Sequence, residues 1–329
     1  MKPGRYIWLD PESGLEAVLH IDSLVLGPAV GGVRTKSYRT LNDAIADAEL
    51  LARAMTIKNA LAGLDAGGCK LVVRTGARLD RPKAFARLGR LLAELGDHVH
   101  TGADLGTTQE DLEHLKSTFP NVHMADDALV DAAGLAVVRC IEACARVQGR
   151  SPEGLRIAVQ GAGIMGEAVA RALVERGASL VIGDTEPERA QALAEALGGE
   201  VVEPEGMFEL DVDVVAPCAI GGVIDEDVAR RVKAWAVCGA ANNVITSRSA
   251  ERELVERDVL WVPDVISSAG AVTHGIASSL MGIADTRPMI ERLGTLAEEV
   301  LREAQLSART PEQVAMDRAE ARILAASES

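Results

Sequence analysis

The sequence predicts an α/β protein of two domains, an N-terminal α/β substrate domain and a Rossmann-type nucleotide-binding domain. Three observations predict it. Residues 155–160 form an apolar strand that runs into Gly161-Ala162-Gly163-Ile164-Met165-Gly166 and an apolar helix, and the next strand, 180–183, ends in Asp184. This is the G-x-G-x-x-G turn in its strand–turn–helix setting, with an acid about 20 residues on. Further short strands at 212–216, 234–238 and 260–262 each end in a small or polar loop, which continues a doubly wound pattern. Finally, 329 residues is roughly two-domain length, and Ser151-Pro152-Glu153-Gly154 is turn chemistry suited to a boundary.

Taken in order, the chain begins in strand-like sequence, with apolar stretches at 15–19 and 23–26 around an Asp-Ser turn. The glycines of 27–34 suggest close approach of the backbone to a ligand or to another strand. Residues 40–59 read as an amphipathic helix. Thr40 and Asp43 suit a capping box, and Ala44, Ile45, Ala48, Leu51, Ala52 and Met55 form the apolar face. A short buried strand follows at 71–73, a second helix at 82–95 and a strand at 99–102. That strand delivers Asp104 to a loop before a helix at 108–117. Residues 131–148 read as a helical connector, and 289–304 and 311–326 as amphipathic helices that return to the first domain. The expected division places 1–130 in a substrate and oligomerisation domain, completed by C-terminal helices at about 285–329, and 131–284 in the Rossmann domain.

The stretch 55–73, MTIKNALAGLDAGGCKLVV, carries the most chemistry. Lys58 closes a helix, where the helix dipole favours a cation. Lys70, twelve residues on, follows Gly67-Gly68 and opens a strand. Two ammonium groups converging on one turn repel each other, which favours a neutral amine. Together they can hold a small carboxylate and polarise a carbonyl or imine. In the second half, the glycines of 161–166 let the backbone approach a pyrophosphate at a helix N-terminus. Asp184 can accept hydrogen bonds from ribose hydroxyls and would repel a 2′-phosphate, so NAD is expected over NADP. Asn242 and Asn243 could bond the nicotinamide or its ribose.

Composition sets the broad class. Apolar residues make up 48% of the chain but aromatics only 2%, so Leu, Val, Ala and Ile must fill the cores. A formal net charge of −15 argues against nucleic acid or an anionic membrane as partner. The five cysteines, at 69, 140, 144, 218 and 238, form no C-x-x-C pair. They read as buried, reduced thiols of a cytoplasmic protein, with no metal site expected. No run is long enough to span a bilayer, and the N-terminus does not read as a signal peptide.

Several stretches together resemble the leucine/phenylalanine/valine dehydrogenase branch of the glutamate dehydrogenase superfamily: 27–34, 55–73, 101–108 (TGADLGTT), 159–184, 213–224, 239–243 and 263–270. They run in order over most of the chain with similar spacing. The resemblance implies a homo-oligomer, dimer or higher, of two-domain subunits with the chemistry in a deep cleft between the domains. It implies NAD-dependent, reversible oxidative deamination of an L-amino acid to a 2-oxo acid and ammonia. Lys58 would bind the substrate carboxylate, with Gly31 also at the substrate. Lys70 would polarise the substrate carbon and its attacking water, and Asp104 would shuttle protons to and from the amino group. Cys218, Ala219, Ala240, Asn242 and Asn243 would join Gly161–Gly166 and Asp184 at the cofactor.

The resemblance also implies that Val30, Gly102, Val272 and Gly275 contact the substrate side chain. The leucine enzymes tend to carry bulkier residues where this chain has Val30, Gly102 and Gly275. The expected pocket is therefore large and suits Phe or Trp better than Leu or Val. Two stretches depart from the family pattern: Asp131 stands in place of a threonine near the nicotinamide, and Ser268-Ala269-Gly270-Ala271 replaces Asn-Ala-Gly-Gly. They keep two alternatives open, an enzyme that reduces an unusual imine or oxo acid in a biosynthetic pathway, and a non-catalytic NAD(H)-binding sensor.

Overall fold

The computed structural model describes residues 2–124 and 126–328. The chain divides into two compact units, 1–126 with 319–329, and 127–318.

In the first unit the strands are β1 (Gly4–Asp10), β2 (Leu15–Ser23), β3 (Ala29–Val30), β4 (Val33–Lys36), β5 (Gly67–Arg74), β6 (Val99–Gly102) and β7 (Val122–His123). They form one sheet in the order β1-β2-β5-β3-β6-β7, with β4 paired to β5. The β1 strand alternates half-buried and exposed residues, the period-2 mark of an edge. The first turn lies at 11–14, where Asp10 accepts the Ser13 N–H at 3.0 Å. The Asp-Ser pair expected to turn the chain instead ends β2, with a shift of register against β5 between Ile21 and Ser23. One face of the sheet packs on α2 (Arg81–Ala93) and α3 (Gln109–Lys116), around Leu19, Leu71, Phe85, Leu88 and Leu115. The other receives α1 (Leu41–Leu61) on Val18 and Val72. Thr40 and Asp43 do form a capping box on α1, each side chain bonding the other's backbone N–H.

Two glycines let these layers meet. A Cβ on Gly68 would lie 2.3 Å from the Thr56 backbone nitrogen, and one on Gly31 would lie 1.7 Å from the Cys69 carbonyl oxygen. The glycines of 27–34 and 67–68 therefore serve close backbone packing. Gly68 lets α1 descend onto β5, so that Lys58 and Lys70, each two residues beyond the contact, come from adjoining elements.

The second unit opens with α4 (Asp127–Val147), which starts four residues before the expected connector. The strands β8 (Arg156–Gln160), β9 (Ser179–Gly183), β10 (Glu200–Val201), β11 (Val214–Pro217), β12 (Ala236–Val237) and β13 (Leu260–Trp261) make a parallel sheet in the order β10-β9-β8-β11-β12-β13. In chain order that is 3-2-1-4-5-6, the Rossmann arrangement, with the switch point beside β8. The helices α5 (Ile164–Val174), α6 (Pro187–Leu197), α7 (Glu226–Arg231) and α8 (Arg248–Glu256) connect the strands. After β13 come α9 (Asp264–Ser267), α10 (Gly270–Ser279), α11 (Arg287–Ser307) and α12 (Pro311–Ser327).

The C-terminal helices depart from expectation. The α11 helix belongs to the second unit, not the first. It buries Ile290, Leu293, Ala297, Val300 and Leu301, and Gly294 lets it approach α4 so closely that a Cβ would sit 2.8 Å from that of Arg139. Ion pairs Arg139–Glu291 at 2.7 Å and Arg146–Glu298 at 2.6 Å join the same two helices. Only 319–329 belongs with the first unit. There Arg322 donates to the carbonyls of Ala60 at 2.8 Å and Asn59 at 3.3 Å, at the end of α1. All five cysteines are free and buried, and burial pushes the thiols of Cys69 and Cys218 up to about 12.

Gly68→Ala is expected to lower stability by about 2 kcal/mol or more, because backbone on α1 must move to admit the methyl group. Urea denaturation followed by far-UV circular dichroism measures this. An unchanged midpoint would show that the α1–β5 approach is looser than the contact implies.

Candidate active site

Lys58 and Lys70 are 8% and 6% exposed, which rules out two ordinary surface lysines. Lys70 Nζ lies 2.8 Å from Asp104 Oδ2. The same oxygen accepts Arg34 Nε at 2.8 Å. Asp104 reaches this position because residue 103 pairs with Val33 of β4, which sets the loop after β6 beside Arg34. Arg34 also approaches Asp47 of α1 at 3.4 Å, and Tyr38 donates its hydroxyl to that carboxylate. Burial alone would push the Asp104 carboxyl up, but Lys70 and Arg34 outweigh it and hold the group at about 2. Burial likewise disfavours the Arg34 guanidinium, and Asp104 and Asp47 more than restore it, so its pKa is raised. Asp104 is thus an ionised carboxylate with both cations on one oxygen. Among the described residues, no protein donor reaches the other oxygen, Oδ1.

Arg34 belongs to a stretch that resembles the family, but sequence reasoning gave it no role. Its signal was a cation two residues after the Gly31-Gly32 pair. Val30 is buried in β3, where it pairs with both Gly68 and His100. The Gly31 N–H donates to the His100 carbonyl at 3.2 Å, and its carbonyl accepts Thr101 Oγ1 at 2.8 Å. Gly102 pairs with His123.

In the second unit the turn between β8 and α5 is shaped for an anion. Gly161 has φ 104° and Gly166 packs against its carbonyl, 1.8 Å from where a Cβ would stand. Gly163 caps α5 with no side-chain hydrogen bond, and the space beside its Cα is open. The first N–H groups of α5 are thus left to a ligand, and a dinucleotide pyrophosphate fits that donor set. Asp184 closes β9 and accepts the Ala162 N–H at 2.6 Å and the Glu186 N–H at 2.8 Å. Ile164 and Ala219 are exposed, Met165 and Ala240 half-buried. The Cys218 thiol is buried behind Gly166, so any contact with a cofactor there comes from backbone.

Asn242 and Asn243 are exposed on the loop after β12, Asn243 with φ 52°. Asp264 accepts the Asn243 N–H at 3.0 Å. Ser268, one of the departures from the family pattern, donates to the Asp264 carbonyl at 2.6 Å and lies 3.0 Å from Asn242 Oδ1. It therefore braces the asparagine loop. Asp131, the other departure, is exposed on α4, where it lines a groove of about 700 Å³ with Ile164, Arg171 and His274. Val272 and Gly275 lie on α10. A Cβ on Gly275 would meet Leu129 Cδ2 at 3.2 Å, so part of the space expected there is filled by α4.

Residues 10–121 match the family description "Glu/Leu/Phe/Val dehydrogenase, dimerisation domain", and residues 182–285 match "Glutamate/Leucine/Phenylalanine/Valine dehydrogenase". The chain is 33% identical to leucine dehydrogenase of Thermoactinomyces intermedius, over 95% of this chain and 88% of that one. It is 31% identical to phenylalanine dehydrogenase of Bacillus thermotolerans, over 96% and 87%. Among solved structures, L-tryptophan dehydrogenase from Nostoc punctiforme superposes with a TM-score of 0.85 at 27% identity, covering 99% of this chain and 96% of that one. Fold and site thus define an oxidoreductase acting on CH–NH2, an amino-acid dehydrogenase. The chain belongs to the Glu/Leu/Phe/Val dehydrogenase family, whose members depend on a pyridine nucleotide. No helix among the described residues is long and apolar enough to cross a membrane.

One acid near the asparagine loop carries a pH signature. Glu312 lines a cavity of about 140 Å³ together with Glu251 and Asp264. Burial, then Asp264 and Glu251, push it from 4.5 up to about 7. A carboxyl raised in the folded state contributes stability that is full below its unfolded value, near 4.5, and lost as pH rises through about 7. Glu312→Gln is therefore expected to add on the order of 1 kcal/mol at pH 8, roughly 2 °C in Tm, and nothing at pH 4.5. Thermal melts at the two pH values measure it, and an equal gain at both would remove the titration as the cause.

Proposed function

We propose that this protein catalyses NAD-dependent oxidative deamination of a bulky apolar or aromatic L-amino acid, with Phe and Trp preferred over Leu and Val, to the 2-oxo acid and ammonia. The reading is reversible in direction and is of a homo-oligomer acting in the cytoplasm. The observation that carries it is the Asp104 carboxylate, ionised between Lys70 and Arg34 with one oxygen left to a ligand. A substrate ammonium group fits that oxygen, and its proton must leave before hydride can depart from the same carbon.

In this reading Lys58 holds the substrate carboxylate, and Gly31 lines the same place with backbone. Asp104 accepts the amine proton as the substrate loosens the hold of Lys70 on its other oxygen. Bound NAD supplies the hydride acceptor. Loss of hydride from Cα leaves an iminium carbon, to which water adds as its proton passes to Lys70, whose own proton has first gone to solvent. Asp104 then returns a proton to nitrogen and ammonia leaves, while the hydroxyl proton of the carbinolamine passes by way of Lys70 to solvent as the C=O of the 2-oxo acid forms. Residues Gly161–Gly166 hold the pyrophosphate and Asp184 the ribose hydroxyls, with Cys218, Ala219 and Ala240 contributing backbone and Asn242 and Asn243 at the nicotinamide side. The Asp184 carboxylate favours NAD because a 2′-phosphate there would face a like charge.

NADH formation followed by absorbance with a panel of L-amino acids tests the reading. Lys70→Ala is expected to lower kcat by about 10³-fold, and Asp184→Ser to narrow the preference for NAD over NADP by about tenfold. Full turnover without Lys70 would sink the assigned chemistry. Gly275→Val should shift kcat/KM towards smaller substrates by about tenfold, since its side chain presses on Leu129. No shift would remove the pocket argument at that position.

A further inference from the structure

The sheet of the first unit carries two imidazoles that none of these roles uses. His100 of β6 and His123 of β7 stack with ring centroids 5.4 Å apart and 23° between planes. His100 Nδ1 and His123 Nε2 lie 3.3 Å apart. Cross-strand partners share a face, as do residues two apart on one strand. Gly68 pairs with Val30, Val30 with His100, and Gly102 with His123. Lys70, Val30, His100, Gly102 and His123 therefore share one face of the sheet. The opposite face carries the apolar core of Leu71, Ala29, Val99 and Val122. Gly102 adds no side chain to this row, and a Cβ there would stand 3.6 Å from that of His123. No side chain of residue 102 therefore stands between Val30 and the imidazoles on this face, and the His123 carbonyl oxygen lies 3.0 Å from the Gly102 Cβ position.

We propose that His100 and His123 form the far wall of the substrate side-chain pocket and select an aromatic amino acid whose ring carries a polar edge, an indole N–H or a phenol O–H. The proposal rests on the aromatic substrate reading and deepens it. Both imidazoles are half-buried, and burial pushes both down, His123 to about 4, with His100 and Lys116 adding to the effect. Both rings are thus neutral at pH 7. A neutral imidazole has one N–H and one acceptor nitrogen. Their mutual contact uses one of each. Whichever ring donates, the pair keeps one free donor and one free acceptor. Among the described residues no other protein group hydrogen-bonds to either ring. A wall of this kind stacks with any aromatic ring and, in addition, bonds one that has a polar edge. Phe, lacking that edge, leaves the pair's polar atoms unmet, and Leu lacks the ring as well.

Steady-state kcat/KM for Trp, Tyr, Phe and Leu in the wild type, His123→Leu and His123→Gln tests this. Leu keeps the bulk and removes both polar atoms; Gln restores a donor and an acceptor. His123→Leu is expected to lower kcat/KM for Trp and Tyr about tenfold, mostly through KM, and to leave Phe and Leu within about twofold. His123→Gln should recover part of the loss. Should His123→Leu not fold, the Trp-to-Phe ratio in His123→Gln and His100→Leu decides the same question. An equal fall on all four substrates, or an unchanged Trp-to-Phe ratio, overturns the proposal while leaving the dehydrogenase reading in place. A wild type that prefers Leu to every aromatic substrate overturns the aromatic reading and this proposal together.

Discussion

The contact of Gly68 with Thr56 is the constraint on which the first unit's site depends. A helix normally packs on a sheet at a distance set by side chains on both. Here β5 presents bare backbone, and α1 descends to within 2.3 Å of where a Cβ would be. Lys58 and Lys70 lie two residues beyond this contact on their own elements, so both cations are carried into the interior by it. A buried ammonium is tolerated only with a partner. The partner of Lys70 is Asp104, brought in by the loop after β6.

That pair is one link in a longer chain of charges, Lys70–Asp104–Arg34–Asp47, with Tyr38 on the last carboxylate. Arg34 has a positional effect. By binding the same Asp104 oxygen as Lys70, it keeps the carboxylate ionised and turned, so that Oδ1 stays open. Arg34 is itself set by parallel pairing of β4 with β5, in which Arg34 faces Val72. Burial opposes the ionisation of Asp104 and of Arg34, and only attraction to the neighbouring charges reverses it.

How much of this was legible in the sequence follows from the range of the interactions. The Rossmann unit was largely legible because its signals are local: a strand, three glycines, a helix and an acid within about 30 residues. Lys58, Lys70 and Asp104 stood out by their place at element ends and by likeness to a family. Arg34 was not assigned a role because its partner lies 70 residues away and is brought near by sheet pairing. The His100–His123 pair was hidden for the same reason, since β6 and β7 are four and two residues long and too short to show a periodic pattern. The α11 helix was assigned to the first domain because its amphipathic pattern says that it buries a face without saying against what. Gly294 on α11 and Arg139 on α4 settle that only once the two are seen together.

The glycines at the positions expected to line the pocket show why residue size read from sequence is an incomplete guide to space. At Gly275 the missing side chain is partly replaced, because Leu129 of α4 reaches to 3.2 Å from the Cβ position. A flexible side-chain end has moved into the gap, as close packing requires where a helix is near. At Gly102 the nearest atoms are the carbonyl oxygen and Cβ of His123, at 3.0 and 3.6 Å, both fixed to a strand. Nothing there can swing inward, and the imidazole extends from a backbone held by pairing with β6. A glycine beside a mobile leucine changes packing; a glycine beside a paired strand exposes whatever that strand carries. The second kind of position is the one that bears on the proposed selection of substrate, because the strand beside it carries His123.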